Sequence, residues 1–219
     1  MTRAEEIAAR VAEVRGRIAA AAARAGRPAS AVTLVAAGKT KPLEDLLAAH
    51  AAGVTHFGEN RVQEADAKLP SLPPGAVRHL IGPLQSNKAN RAGMLFDVVQ
   101  TIDSADVARR LDRAAAAAGR RIRVFIEIRL GGEATKAGVE PRDAAALADE
   151  LKRLPALSLE GLMTIPTPGD TRPHFVALRR LGQTLGLPQL SMGMSDDFEE
   201  AIEEGATFVR VGTAIFGPR

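Results

Sequence analysis

The chain has 219 residues, 46% of them hydrophobic and 25% charged, with a formal net charge of +3. It contains no cysteine, tryptophan or tyrosine, which excludes disulfides, thiolate metal sites and a cysteine nucleophile. With no lysine/arginine block and no interleaved aromatics, the sequence offers little for a nucleic acid to bind, and its length suits one sizeable core.

The start, Met1-Thr2-Arg3-Ala4-Glu5-Glu6, is charged and leads into no signal-type apolar core. No window approaches the roughly 18 uninterrupted apolar residues of a membrane helix, so no membrane contact and a cytoplasmic location are expected. Thr2-Arg3-Ala4-Glu5 has capping-box spacing, and Ile7, Val11, Val14 and Ile18 recur at helical intervals. They predict a long helix to about Arg24, closed by Gly26 and Pro28, that covers one end or side of the core.

The chain then alternates. Apolar runs at 32–37, 54–57, 78–81, 97–102, 122–128, 159–165, 189–192 and 207–211 predict strands. Helical patterns at 43–52, 60–68, 86–94, 105–118, 142–153, 173–185 and 196–204 separate them. Such strict alternation requires parallel pairing with right-handed crossovers. Eight units in this length predict an α/β fold, a single (β/α)8 TIM barrel spanning 1–219, with residues 1–28 forming an extra N-terminal helix packed on it.

The run Val32 to Ala37 delivers Lys39 at the C-terminal end of the first strand, where α/β folds place their chemistry. Burial, or the neighbouring Lys41, would lower its pKa and make the amine a nucleophile for aldehydes. A solvated loop lysine is the alternative. The last unit, Val209 to Gly217, ends a strand in Gly212-Thr213 and turns into a short apolar segment. That pattern fits either a tight turn or a barrel phosphate site at the start of a short extra helix. In Leu190 to Glu199, the Ser195 hydroxyl stands where a strand hands over to a helix, as an N-cap or a phosphate ligand. Asp196 and Asp197 suit a helix N-terminus but must point away from any phosphate.

Barrel closure sets the last strand about 4.8 Å from the first, which brings Lys39 to Gly212 and Thr213 on one rim. An imine-forming lysine beside a phosphate cup describes a site for pyridoxal 5'-phosphate (PLP). Strand alternation points Arg210 to the same face as Gly212, within reach of the pyridine nitrogen. Arginine keeps its proton, which leaves that nitrogen unprotonated and argues against transaminase-type chemistry.

Six segments then carry a resemblance in conserved order: Gly38 to Pro42, Phe57 to Glu64, His79 to Lys88, Gly161 to Pro166, Ser191 to Asp197, and Val209 to Gly217. They resemble the pyridoxal phosphate homeostasis proteins (YggS/PROSC type). The resemblance implies an alanine-racemase-like barrel with PLP on Lys39 as a Schiff base. It also implies the pyridine nitrogen facing Arg210, the phosphate around Ser195, Gly212 and Thr213, and Asn60 and Met194 lining the pocket. It implies a carrier that holds and releases PLP, without robust turnover, and apo PLP-dependent enzymes as possible partners of a monomer or weak homodimer. The other readings are a racemase with weak or one-base activity, and a barrel that binds sugar phosphates without an imine. Three positions depart from the family pattern: Gly38 where serine is common, Arg129 where asparagine is usual, and no C-terminal tyrosine after Gly217-Pro218-Arg219. Arg129 is expected to put a charge near the pocket floor or rim. Lys88 is expected at a helix start near the pocket. Lys136 is expected either as a second docking point for the aldehyde or as an exposed loop lysine. His50, His56, His79 and His174 show no ligand spacing, so no metal site is expected, and His79 reads as a satisfied strand histidine.

Overall fold

The computed structural model describes residues 1–131, 137–167 and 169–218. It opens with α1 (Arg3–Arg24), whose start is a capping box. The Glu5 N–H donates to Thr2 Oγ1 at 3.3 Å and the Thr2 N–H donates to Glu5 Oε2 at 2.7 Å. One face buries Ile7, Val11, Val14 and Ile18, each contributing about 1.5–3 kcal/mol of hydrophobic stabilisation. Gly26, at φ +65°, turns the chain out of the helix.

Strands and helices then alternate: β1 (Thr33–Ala37), α2 (Leu43–Ala51), β2 (His56–Glu59), α3 (Val62–Lys68), β3 (Val77–Leu80), α4 (Ala89–Leu95), β4 (Val98–Ile102) and α5 (Ala105–Ala117). There follow β5 (Ile122–Glu127), α6 (Ala144–Leu151), β6 (Leu157–Met163), α7 (Arg172–Leu185), β7 (Gln189–Ser191), α8 (Phe198–Glu203), β8 (Phe208–Val211) and the single turn α9 (Thr213–Phe216). All eight strands are parallel and close into a barrel in chain order, with β8 paired to β1. The expected (β/α)8 architecture is therefore the observed one.

Several element boundaries move, each for a local reason. The second strand occupies 56–59 rather than 54–57, because Gly58 is an inward strand position. A Cβ there would lie 2.8 Å from Ile81 Cδ1. The third helix starts at Val62 because Arg61 is still extended at φ −130°. The patterns at 86–94 and 142–153 begin as 3-10 turns, Ser86–Lys88 and Pro141–Asp143, before becoming helical. The pattern at 196–204 starts at Phe198, with Asp197 in the N-cap position.

The barrel interior is layered. Val35, Val98, Phe125, Met163 and Phe208 form its apolar plug. The larger core lies between the strands and the outer helices. The single turn α9 follows β8, and α1 fills the outer ring there, packing against α2, α8 and α9 over the β8–β1 seam. Arg3 ties that seam, donating to Asp45 Oδ2 and to the Phe216 carbonyl, each at 2.7 Å.

Candidate functional site

Register places the site. Val35 pairs with Arg210 and Ala36 with Val211, which carries Ala37 alongside Gly212 at the C-terminal rim. A Cβ on Gly212 would stand 3.2 Å from the Ala37 carbonyl oxygen, so glycine permits this close approach of the two strand ends. The rim encloses a cavity of about 180 Å³ lined by Lys39, Asn60, Met194, Ser195, Arg210, Gly212 and Thr213. All seven residues expected at the site thus line one cavity. Ala37, Ile81, Ile165 and Asp196 complete the wall. The volume is below the roughly 300–1,000 Å³ of drug-sized sites and suits a single substituted ring.

Lys39 sits on a constrained turn. Gly38 donates to the Gly58 carbonyl at 2.9 Å, and Lys41 N–H closes back on the Gly38 carbonyl at 3.0 Å. Thr40 adopts φ +65°, a left-handed conformation that a β-branched residue rarely accepts. Strain of this kind costs on the order of 1–3 kcal/mol and persists where the surroundings enforce it. Here the enforcing group is Lys68, on α3. Its ammonium donates to the Gly38 carbonyl at 3.0 Å and the Lys41 carbonyl at 3.1 Å, and lies 2.6 Å from the fully buried Glu59. Burial raises the Glu59 pKa while Lys68 opposes the rise. Lys41 itself turns to the C-terminal segment, its ammonium 2.8 Å from the Pro218 carbonyl.

Opposite Lys39, backbone donors converge. The N–H groups of Gly212 and Ala214 donate to Ser195 Oγ at 3.2 and 3.3 Å, where β8 passes into α9. Ser195 is therefore not the cap of α8. Asp197 takes the N-cap position, its Oδ1 receiving the Met194 N–H at 2.6 Å. That contact commits the Asp197 carboxylate, while Asp196 is exposed and lines the cavity rim.

Arg210 forms the floor. It is 4% exposed, donating from Nη1 to Ser191 Oγ at 2.8 Å and from Nη2 to the Thr164 carbonyl at 2.9 Å. Burial pushes its pKa down to about 10, so it stays protonated at neutral pH. Glu127, inward on β5 like Phe125, is 5% exposed with Oε2 lacking a hydrogen-bond partner among the described residues. Burial, reinforced by Asp103, raises its pKa to about 7, and the Arg210 charge pulls the other way.

One expectation is corrected and one lies outside the described residues. Arg129 does not line the cavity; its Nε and Nη2 donate to Glu140 Oε1 at 3.0 and 2.7 Å. Lys88, at the end of its 3-10 turn, lines an adjoining hollow of about 660 Å³ with Gln85 and Arg61. Asn60 is the wall common to the two cavities. Lys136 falls outside the described residues. His79 is fully buried with both ring nitrogens hydrogen-bonded.

The alanine racemase N-terminal domain model matches residues 10–219. The pyridoxal phosphate homeostasis protein of Pseudomonas aeruginosa is 46% identical over 97% of this chain and 96% of that relative. The chain belongs to the pyridoxal phosphate homeostasis family. Solved structures agree with that placement. Family member PipY of Synechococcus elongatus, 40% identical over 96% of this chain and all of its own, superposes with a TM-score of 0.86 without PLP and 0.82 with PLP bound. A protein from Bifidobacterium adolescentis, 38% identical, covers 98% of this chain and 96% of its own with a TM-score of 0.91. Sequence reasoning missed Glu127, Glu59 and Lys68, and the polar groups beneath Arg210. The signal available was polar residues inside apolar runs, such as Gln100-Thr101 between Val99 and Ile102.

Proposed function

We propose that the protein binds PLP in the Lys39 cavity and serves its homeostasis, holding the cofactor and passing it on. The observation that carries this reading is the meeting of three groups in one cavity. They are a lysine amine on a rigid turn, two backbone N–H groups aimed at one acceptor, and a buried, protonated arginine. The donor set fits PLP. Lys39 would hold the aldehyde covalently, Ser195, Gly212 and Thr213 the phosphate, and Arg210 the pyridine nitrogen, with Asn60 and Met194 along the ring. When bound, PLP supplies an aldehyde that exchanges between amines, which suits storage and transfer to apo PLP-dependent enzymes. Arg210 donates and does not accept, so it keeps a ring nitrogen unprotonated and weakens the ring as an electron sink. PLP bound to PipY, 40% identical, supports PLP as the ligand.

We further read the chain as one cytoplasmic domain over 1–219 that acts as a monomer or weak homodimer; no helix of the described residues is long and apolar enough to cross a membrane. The test is absorbance of the PLP-treated protein, then borohydride reduction and peptide mass mapping. The expected result is a single adduct on Lys39 that Lys39→Ala abolishes. Adducts scattered over many lysines, or none at excess PLP, would refute the reading. Interconversion of D- and L-alanine that disappears in Lys39→Ala would favour a racemase instead.

A further inference from the structure

We propose that Ser191, Gln100 and His79 are positioning residues that hold the Arg210 guanidinium through a one-directional line of hydrogen bonds ending at His56. The line crosses the barrel interior from β8 through β7, β4 and β3 to β2. Arg210 Nη1 lies 2.8 Å from Ser191 Oγ, and Ser191 Oγ lies 2.7 Å from Gln100 Oε1. Gln100 Nε2 lies 3.0 Å from His79 Nδ1, and His79 Nε2 lies 2.8 Å from His56 Nδ1. Ser191, Gln100 and His79 are fully buried.

The direction follows from arginine. A guanidinium carries five N–H donors and no acceptor, so Ser191 Oγ must accept from it. The serine proton is then free only for Gln100, which must present its carbonyl oxygen. That orientation turns the amide N–H toward His79 Nδ1, which must be bare. The proton of neutral His79 therefore sits on Nε2 and is donated to a bare His56 Nδ1. Reversing any one link would oppose two hydrogens or two lone pairs in a buried site, leaving polar groups unpaired.

The arrangement also keeps both rings neutral. A second proton on His79 would have to enter at Nδ1, against the Gln100 amide. A second proton on His56 would meet the His79 N–H. Burial pushes the His79 pKa well below the usual histidine value and His56 to about 4, in keeping with that geometry. With Nη2 also bonded to the Thr164 carbonyl, two anchors fix the plane of the guanidinium. Its remaining N–H groups are left for the cavity it lines.

Two readouts test the proposal, and only the second rests on the PLP reading. Nitrogen-15 NMR of the protein without PLP is expected to show His79 at neutral pH as the neutral Nε2–H tautomer. It is also expected to show the Arg210 guanidinium with restricted rotation that becomes faster in Gln100→Leu, where Ser191 loses the acceptor that orients it. His79 as the Nδ1–H tautomer or as imidazolium, or an Arg210 signal unchanged in Gln100→Leu, would overturn the proposal. In PLP titrations followed by absorbance, Gln100→Leu is expected to bind about tenfold more weakly while borohydride still traps Lys39. An adduct on Lys39 in both proteins with equal affinity would overturn the positioning role. No adduct in the wild type would instead refute the PLP reading and leave the NMR result to decide the proposal. Ser191→Ala, which deletes a single oxygen, carries the same two readouts if Gln100→Leu does not fold.

Discussion

Lys68→Met is the most informative single change outside the cavity, because Lys68 holds the turn that carries Lys39 without lining the cavity itself. Its ammonium is the only cation within ion-pair distance of Glu59 among the described residues, and it also bonds two carbonyls of the turn. Methionine keeps the stem and removes the charge. Stranding one partner of a buried pair costs about 3–5 kcal/mol, and each lost bond from a cation adds about 1.5–3. The sum is an upper bound, because Glu59 can take up a proton in place of a counter-ion. The expected loss is therefore about 4 kcal/mol at about pH 8 and roughly half that at about pH 5. The sign follows from linkage. In the variant, burial without Lys68 raises the folded-state pKa of Glu59 further, so the folded state binds more protons than the unfolded one. Stability then falls as pH rises from the ordinary glutamate range through the raised value. With no tryptophan or tyrosine to report by fluorescence, urea unfolding would be followed by far-ultraviolet circular dichroism. Adding Glu59→Gln is expected to restore about half the loss by removing the stranded charge. A loss under about 1 kcal/mol, or one equal at both pH values, would refute the role assigned to Lys68.

Glu127 should make the wild type less stable as pH rises, since its folded pKa of about 7 lies above the ordinary value. Glu127→Gln is expected to match the wild type at about pH 4 and exceed it by about 2–3 kcal/mol at about pH 8; parallel urea curves would contradict this. Ser195→Ala removes the acceptor shared by the Gly212 and Ala214 N–H groups. Absorbance titrations should show PLP bound about fivefold more weakly and pyridoxal, which lacks the phosphate, unaffected; an equal loss for both would place Ser195 away from the phosphate. Gly82→Ala sets a Cβ 2.4 Å from the Asn60 carbonyl oxygen and 2.8 Å from its Cα. It is expected to cost about 2–3 kcal/mol in urea unfolding and to weaken PLP binding by shifting Asn60; a neutral result on both counts would deny that contact.

The barrel, and the meeting of Lys39, Arg210, Gly212 and Thr213 on one rim, were legible in the sequence because they follow from local rules, whereas Asn60 and Met194 came only from the family resemblance. Alternating apolar runs and helical patterns require parallel strands, closure pairs the first strand with the last, and period-two alternation turns Arg210 and Gly212 to one side. Glycine misled the reading at one place. Gly58 reads as the turn after a strand ending at Phe57, yet it is inward within β2, where Ile81 and Val35 leave no room for a side chain. What lay beyond reach was pairing between distant strands. His79, Gln100 and Ser191 each look like isolated polar residues in apolar segments, and only the folded barrel shows that they bond to one another. Glu59 and Lys68 went unnoticed for the same reason, because nothing local reveals that β2 and α3 bring them together against the Lys39 turn.

The way α1 completes the outer ring has a consequence for how the molecule can be assembled. During synthesis Lys39 emerges long before the N–H groups on the opposite side of the cavity, which belong to Gly212 and Ala214. A nascent chain therefore carries the Lys39 amine through the making of β2 to β7 without the rest of its cavity, and ligand capture in the completed cavity would report that β8 has docked. Both ends of the ring meet at the Arg3–Phe216 contact. A circularly permuted chain with residues 2–24 linked after Phe216 would keep the Thr2 cap and the packing of α1 on α2, α8 and α9 while starting the barrel at its first strand.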